Sequence, residues 1–158
     1  MRRLPLLLLP FVAACATTAG DEAPAAAGPS AAELIAARQA MMHMAATLLY
    51  QEVMPAAKNG TDVKAASHAA DGLDLFGRSL AGLFPEGGGG PDSRALPAIW
   101  ENKADFVARA NAFGDSAARL NALATAGDAA GFAAQAASVE QGCNSCHDLY
   151  RQPRRRPS

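Results

Sequence analysis

The feature that most constrains the fold is the helical spacing of apolar residues, which recurs in four segments of an alanine-rich chain. Of the 158 residues, 39 are alanine, the best helix former, and only 6% are aromatic. Apolar residues recur at steps of three, four and seven in each segment, and no segment shows the period of two that is typical of a half-buried strand. The sequence therefore predicts an all-α fold with a single domain and a processing segment.

Capping and turn residues divide the chain into four predicted helices. The first begins at the capping-box pattern of Ser30 and Glu33 and is closed by Pro55 with Asn59 and Gly60. The others are predicted at 61–83, at 96–127, and from about Phe132 to Pro153, with a glycine-rich loop over 86–94. Because short connections make consecutive helices antiparallel, we expect an up-down four-helix bundle over residues 31–152.

The first fourteen residues are predicted to be an export signal. Two arginines precede a short apolar run and then small residues, and that run is far below the roughly 20 residues that span a bilayer. The segment ending in Cys15 is similar to the lipobox of bacterial lipoproteins, which predicts a lipid anchor on Cys15; signal cleavage slightly downstream is the alternative. We expect a periplasmic, membrane-anchored protein, with residues 15–30 as a flexible tether.

The charge balance disfavours nucleic acid as a partner. The formal net charge is −1 and the isoelectric point is near 6.3, so the chain as a whole carries no basic field. Four arginines do lie in residues 151–156. We expect the tail at 153–158 to be a solvated end, with contact to anionic lipid or to a partner protein as the alternative.

The chemically informative motif is Cys143-Asn144-Ser145-Cys146-His147, the C-x-x-C-H pattern of c-type haem attachment. On a helix, positions i and i+3 share a face, so both thiols can reach the vinyl groups along one side of a porphyrin. A neutral imidazole of His147 can then ligate the iron. The motif predicts one haem c, attached covalently through Cys143 and Cys146.

Three alternatives explain this motif less well. A thioredoxin-like pair requires a βαβ setting, and the sequence has no strand pattern. A zinc site requires a second pair of ligands, whereas the other histidines, His43 and His68, are isolated in different predicted helices. A disulfide between positions i and i+3 of a helix has poor geometry and leaves His147 without a role.

The chain resembles cytochrome c′, a class II c-type cytochrome with a four-helix bundle. Beyond the haem motif, the resemblance covers residues 31–152 and rests on these segments: 38–42 (RQAMM), 83–85 (LFP), 96–100 (LPAIW), Phe106, and 143–151 (CNSCHDLYR). It implies a five-coordinate haem whose only protein ligand is His147. It also implies that Met42 blocks the opposite face, and that Arg38 and Gln39 contact the haem propionates.

Other residues near the implied site have two interpretations. The resemblance places Asp92 near the propionate edge and Arg151 on the proximal side, where a solvated arginine at the helix end is the alternative. Met41, Met42 and Met44 fall within one turn and suit an irregular core. His43 is expected to face away from the iron. Trp100 and Phe106 are expected in the core or the haem wall.

The resemblance implies a non-enzymatic protein that binds small diatomic gases, above all nitric oxide and carbon monoxide. An apolar pocket offers no hydrogen-bond donor to bound oxygen, which accounts for that selectivity. The alternative is a six-coordinate, low-spin electron-transfer cytochrome with a methionine ligand and a redox partner protein. The resemblance also implies a homodimer through the first two helices, which alanine-rich outer faces around Ala56, Ala65 and Ala69 would permit.

Overall fold

Residues 28–153 are described by the computed structural model, and most of them are helical. The predicted signal, most of the predicted tether with Cys15, and the last five residues of the tail lie outside this range. The elements are α1 (Ala31–Thr47), a π-helical turn (Leu48–Val53), α2 (Met54–Asn59), α3 (Ser67–Leu80), a 3₁₀ turn (Ala81–Leu83), α4 (Ala98–Glu101), α5 (Lys103–Ala126) and α6 (Ala129–Tyr150). None of the described helices is long and apolar enough to cross a membrane.

The first bundle helix is continuous from α1 through the π turn into α2. The predicted capping box is confirmed, because Ser30 Oγ accepts from the Glu33 amide and Glu33 Oε2 accepts from the Ser30 amide. The prediction that Pro55 helps to end this helix is wrong, because the helix continues through Pro55. A proline inside a helix removes one amide donor and crowds the carbonyl four residues earlier, and here the helix widens into the π turn just before it. The helix ends at Gly60, whose φ of 65° is left-handed.

Two other predicted boundaries are corrected. The second helix begins at Ser67 rather than at Thr61, because Asp62 adopts a left-handed φ of 57° and turns occupy the following residues. The third is interrupted at Asn102, whose φ of −118° and ψ of 45° separate α4 from α5. Gly127 ends α5 as predicted. Asp128 caps α6 by accepting from the Gly131 amide at 2.9 Å, so α6 begins before Phe132.

The four helices form the predicted bundle. α3 packs along α5, α5 along α6, and α2 along α6, around a core of alanine, leucine and phenylalanine side chains. α3 and α5 approach closely at Gly77 and Gly114, where a Cβ on Gly77 would lie 2.6 Å from Gly114 Cα. The expectation of outer faces around Ala56 and Ala69 is wrong, because both residues are buried within the bundle; Ala65 is exposed.

The end of α6 is joined by backbone hydrogen bonds to the loop that precedes α4. The Leu96 amide donates to the Tyr150 carbonyl at 2.9 Å, and the Gln152 amide donates to the Arg94 carbonyl at 2.8 Å. Between these bonds lies the single bridge of residues 28–153, which pairs Ala95 with Arg151. The last turn of α6 is thereby fixed against this loop.

Candidate functional site

The side chains of Cys143, Cys146 and His147 lie on α6 beside two adjoining cavities. The smaller cavity has a volume of about 200 Å³ and is lined by both cysteines and His147. The larger has a volume of about 500 Å³, within the usual range for ligand sites, and is lined by Cys146 and His147. The helical spacing therefore places all three side chains at one site, as the sequence predicted.

The wall of the smaller cavity is largely apolar. α1 and the π turn contribute Met42, Ala45, Ala46 and Leu49, and the other helices contribute four large side chains: Phe76, Leu80, Phe106 and Phe113. The Phe76 and Phe113 rings meet edge to face with centroids 6.0 Å apart. An apolar wall of this kind suits the faces of a porphyrin, which is itself apolar apart from its propionates.

Burial keeps both thiols protonated. It raises the pKa of Cys143 to about 11, with the charge of Cys146 as the next cause, and burial also raises the pKa of Cys146. Neither cysteine is in a disulfide. Both sulfurs therefore remain available as thiols for thioether formation.

His147 is a neutral imidazole at neutral pH. Burial, together with the positive charges of Arg151 and Arg94, lowers its pKa to about 4, while the charge of Asp148 opposes them. A neutral imidazole has a nitrogen lone pair available for a metal. Both arginines line the larger cavity with His147, and the placement of Arg151 on the proximal side of the haem stays a prediction.

Arg38 lies at the larger cavity and also has a structural role in the fold. It is only 3% exposed, and its guanidinium donates to the Gly88 carbonyl and to Ser93 Oγ while lying 4.9 Å from the centroid of the Phe84 ring. Arg38 therefore fastens the glycine-rich loop to α1. A guanidinium has five N–H donors, so contact with a propionate remains compatible with these two bonds.

The other predicted residues of α1 fall at or near the same place. Gln39 lines the larger cavity and donates to the Asp92 carbonyl at 2.9 Å, which brings the Asp92 backbone to this edge. Met42 lines both cavities. His43 is exposed, but it lies on the wall of the larger cavity together with His147 and so does not face away from the site as expected.

The remaining methionines and aromatic residues singled out in the sequence lie in different surroundings. Met41 packs against the core, and Met44 is exposed. Phe106 is buried and lines both cavities, whereas Trp100 donates to the Pro85 carbonyl at 2.7 Å and supports the loop.

Sequence reasoning missed two polar residues of the smaller cavity, Tyr50 and Arg109. Tyr50 is half-exposed, and its pKa is raised by burial and then by the neighbouring Glu140 carboxylate. Arg109 pairs with Asp105 at 2.6 Å. The spacing of Asp105 and Arg109 on one helix face was available as a signal, but only the packing of α5 against α6 shows that Arg109 reaches the cavity.

The motif, the bundle and the cavity agree with a comparison to known protein families. Residues 33–151 match the family described as cytochrome c′. The chain belongs to the cytochrome c′ family. It therefore carries the covalently bound haem c of that family, for which Cys143 and Cys146 provide the sulfurs.

Individual relatives and solved structures are similar to this member of the cytochrome c′ family. Cytochrome c-554 of Cereibacter sphaeroides is 38% identical over 95 residues, which are 58% of this chain and 71% of the relative. Cytochrome c prime from Shewanella frigidimarina has a TM-score of 0.71 at 30% identity and covers 78% of this chain and 98% of its own. The nitric oxide complex of a mutant of cytochrome c prime from Alcaligenes xylosoxidans has a TM-score of 0.72 at 26% identity, with 79% and 98% covered.

The residues present fit a haem c. Two thiols on one helix face, a neutral imidazole next to them and an apolar cavity match the covalent, metal-ligating and apolar parts of the group. Arg38, Arg94 and Arg151 line the larger cavity, where cations and N–H donors suit carboxylates. Within residues 28–153, no cluster of three or more histidine, cysteine or acidic side chains is placed to hold a separate metal ion.

Proposed function

We propose that this cytochrome c′ is a non-enzymatic binder of small diatomic gases, with His147 as the only protein ligand to the haem iron. One observation carries the proposal: His147 and Met42 line the same two cavities, and the part of the smaller cavity that α1 contributes is apolar. A haem bound here supplies an iron whose sixth position can accept a small ligand. The residues of this chain decide which ligands reach it.

In this proposal His147 and Met42 have opposite tasks. His147 is neutral because burial and two arginines disfavour its charged form, so its lone pair can hold the metal without losing a proton. Met42, with Ala45, Ala46 and Leu49, excludes water and bulky ligands. None of these four side chains has an N–H or O–H donor to stabilise bound oxygen. If the gas binds against them, and not beside Tyr50 or Arg109 of the same cavity, the site favours nitric oxide and carbon monoxide.

Arg38 and Gln39 are proposed to hold the propionates. Both line the larger cavity, and both already contact the loop, Arg38 through Gly88 and Ser93 and Gln39 through the Asp92 carbonyl. A propionate in this position would therefore connect α1, the loop and the haem.

A second candidate function follows from the chemistry of Met42. A thioether is a weak ligand for haem iron, and Met42 lines the same cavities as His147. Ligation by Met42 would give a six-coordinate, low-spin haem and raise its reduction potential, which suits electron transfer to a redox partner protein.

Absorption spectra separate the two candidates. Gas binding predicts a high-spin ferrous spectrum that changes on addition of carbon monoxide, and Met42→Leu leaves the spin state unchanged. Methionine ligation predicts a low-spin spectrum that Met42→Leu converts to high-spin. Met44→Leu is the matched control, because Met44 is 46% exposed and lines neither cavity. A low-spin spectrum that does not respond to gas would overturn the gas-binding proposal.

We also propose a homodimer through the first two bundle helices. Met44 is 46% and Leu75 61% exposed, on the neighbouring helices α1 and α3. Burying such side chains against a second copy would remove apolar surface from water. Analytical ultracentrifugation should show a dimer that Leu75→Lys dissociates and that Leu149→Lys, a similarly exposed leucine on α6, leaves intact; a monomeric wild type would contradict the proposal.

Export and lipid anchoring remain proposals that rest on the sequence. The apolar run and the residues ending in Cys15 support a periplasmic protein held at the membrane by acylated Cys15. Mass spectrometry of the mature protein, with Cys15→Ser for comparison, should find an acyl adduct at the N-terminus. A mature chain that begins downstream of Cys15 would contradict the anchor.

A further inference from the structure

A polar group of three side chains lies where α5 meets the end of α6. Asp105 Oδ2 accepts from Arg109 Nε at 2.6 Å, and the same oxygen accepts from the Tyr150 hydroxyl. The Tyr150 ring is buried and meets the Phe106 ring edge to face, with centroids 5.4 Å apart. Asp105 thus connects Arg109 on its own helix with the last turn of α6.

The two charges of this group lie at different depths. Arg109 lines the smaller cavity together with Cys146, His147 and Phe106, whereas Asp105 lines neither cavity. The pair is therefore a dipole whose positive end faces the haem site. Both side chains are partly exposed, 38% for Arg109 and 49% for Asp105, so solvent and salt weaken their field without removing it.

We propose that the positive charge of the Arg109 guanidinium, which lines the haem cavity, raises the reduction potential of the haem iron, and that the more distant Asp105 carboxylate offsets part of this effect. Adding one electron converts ferric to ferrous iron and lowers the charge at the iron by one unit, so a nearby cation favours the reduced state. The inference rests on the haem c of the family and applies whether or not Met42 is a ligand.

The sign of the effect distinguishes this proposal from a merely structural role. Arg109→Gln removes the nearer, positive charge and should lower the midpoint potential. Asp105→Asn removes the more distant, negative charge and should raise it by a smaller amount. The double variant should lie between the two single variants. Loss of packing alone would give no reason for opposite shifts.

Spectroelectrochemical titration of the haem-loaded protein measures these potentials, with electrons supplied by an electrode through mediators. Both shifts should grow as ionic strength falls from 0.1 M to 0.01 M, since the Debye length rises from about 10 Å to about 30 Å. Arg109→Lys, which keeps the charge, should restore most of the potential lost in Arg109→Gln. Tyr150→Phe, which removes a hydrogen bond but no charge, should shift the potential less than Arg109→Gln.

The matched control is a second pair of the same spacing on α3. Arg78 and Asp74 are joined at 2.8 Å in the same i,i+4 arrangement, and neither lines the two cavities. Arg78→Gln should leave the potential close to that of the wild type. Shifts of the same sign in Asp105→Asn and Arg109→Gln, shifts no larger than that of Arg78→Gln, or a dominant effect of Tyr150→Phe would each overturn the proposal.

Discussion

The close approach of α3 and α5 predicts how far the stabilities of two glycine-to-alanine variants differ. Gly77 and Gly114 both lie inside helices, so replacing either by alanine gains about 1 kcal/mol of helix propensity. A Cβ at Gly77 would lie 2.6 Å from Gly114 Cα and 2.9 Å from Gly114 N, whereas a Cβ at Gly114 would meet nothing closer than 3.5 Å. Only the first substitution forces two backbones apart.

The difference in stability between the two variants measures the cost of overpacking at Gly77. Because the propensity gain is common to both, Gly77→Ala should be less stable than Gly114→Ala by the cost of overpacking alone, about 1–3 kcal/mol. Gly114→Ala itself should be about as stable as the wild type or up to about 1 kcal/mol more stable.

Urea unfolding followed by circular dichroism at 222 nm measures this difference. A second readout comes from the site, because Phe76 and Phe113 lie next to the two glycines in sequence and form part of the cavity wall. Gly77→Ala should therefore also perturb the haem absorption spectrum, and Gly114→Ala should not. Equal stability of the two variants, or a less stable Gly114→Ala, would refute the close-approach argument.

Three further predictions concern the loop, a helix end and pH. Arg38→Gln should lower the free energy of unfolding by about 2–4 kcal/mol in urea titrations, since a buried guanidinium that donates to two acceptors is lost. Gln39→Ala, which removes a single exposed hydrogen bond, is the control, and an equal or larger loss of stability in this variant would contradict the prediction. Ser30→Ala should cost about 1 kcal/mol by the same measurement because the capping box is lost, and an unchanged midpoint would contradict it. The pKa of Asp105 is lowered first by its bond from Arg109 and then by that from Tyr150. A lowered pKa stabilises the fold above the unfolded value of about 4, so the advantage of the wild type over Asp105→Asn should be full at pH 6 and disappear as the pH falls toward 2; an advantage independent of pH would contradict the assignment.

Local sequence signals predicted the parts of the fold that depend on neighbouring residues. The Ser30 capping box and the ends at Gly60 and Gly127 were all predicted from residue type and position, because each is a requirement of the backbone at that point. The placement of Cys143 and His147 beside one cavity follows in the same way from helical periodicity.

The features that sequence reasoning missed depend on contacts between distant parts of the chain. The helix continues through Pro55 because a π turn precedes it, and no residue pattern in the sequence predicts that turn. Arg38 holds the glycine-rich loop through hydrogen bonds to Gly88 and Ser93, which lie 50 and 55 positions further along the chain. Likewise, Ala69 was predicted to lie on an outer face of its helix, but it is buried where α3 packs in the bundle.

The central claim is that Cys143 and Cys146 hold a haem whose iron is ligated by His147. Its most direct test is denaturing mass spectrometry and absorption spectroscopy of protein produced in a host able to mature c-type cytochromes. The mass of one haem should stay on the unfolded chain, and replacing both cysteines by alanine should remove it. A colourless wild-type protein with both thiols unmodified would contradict the account.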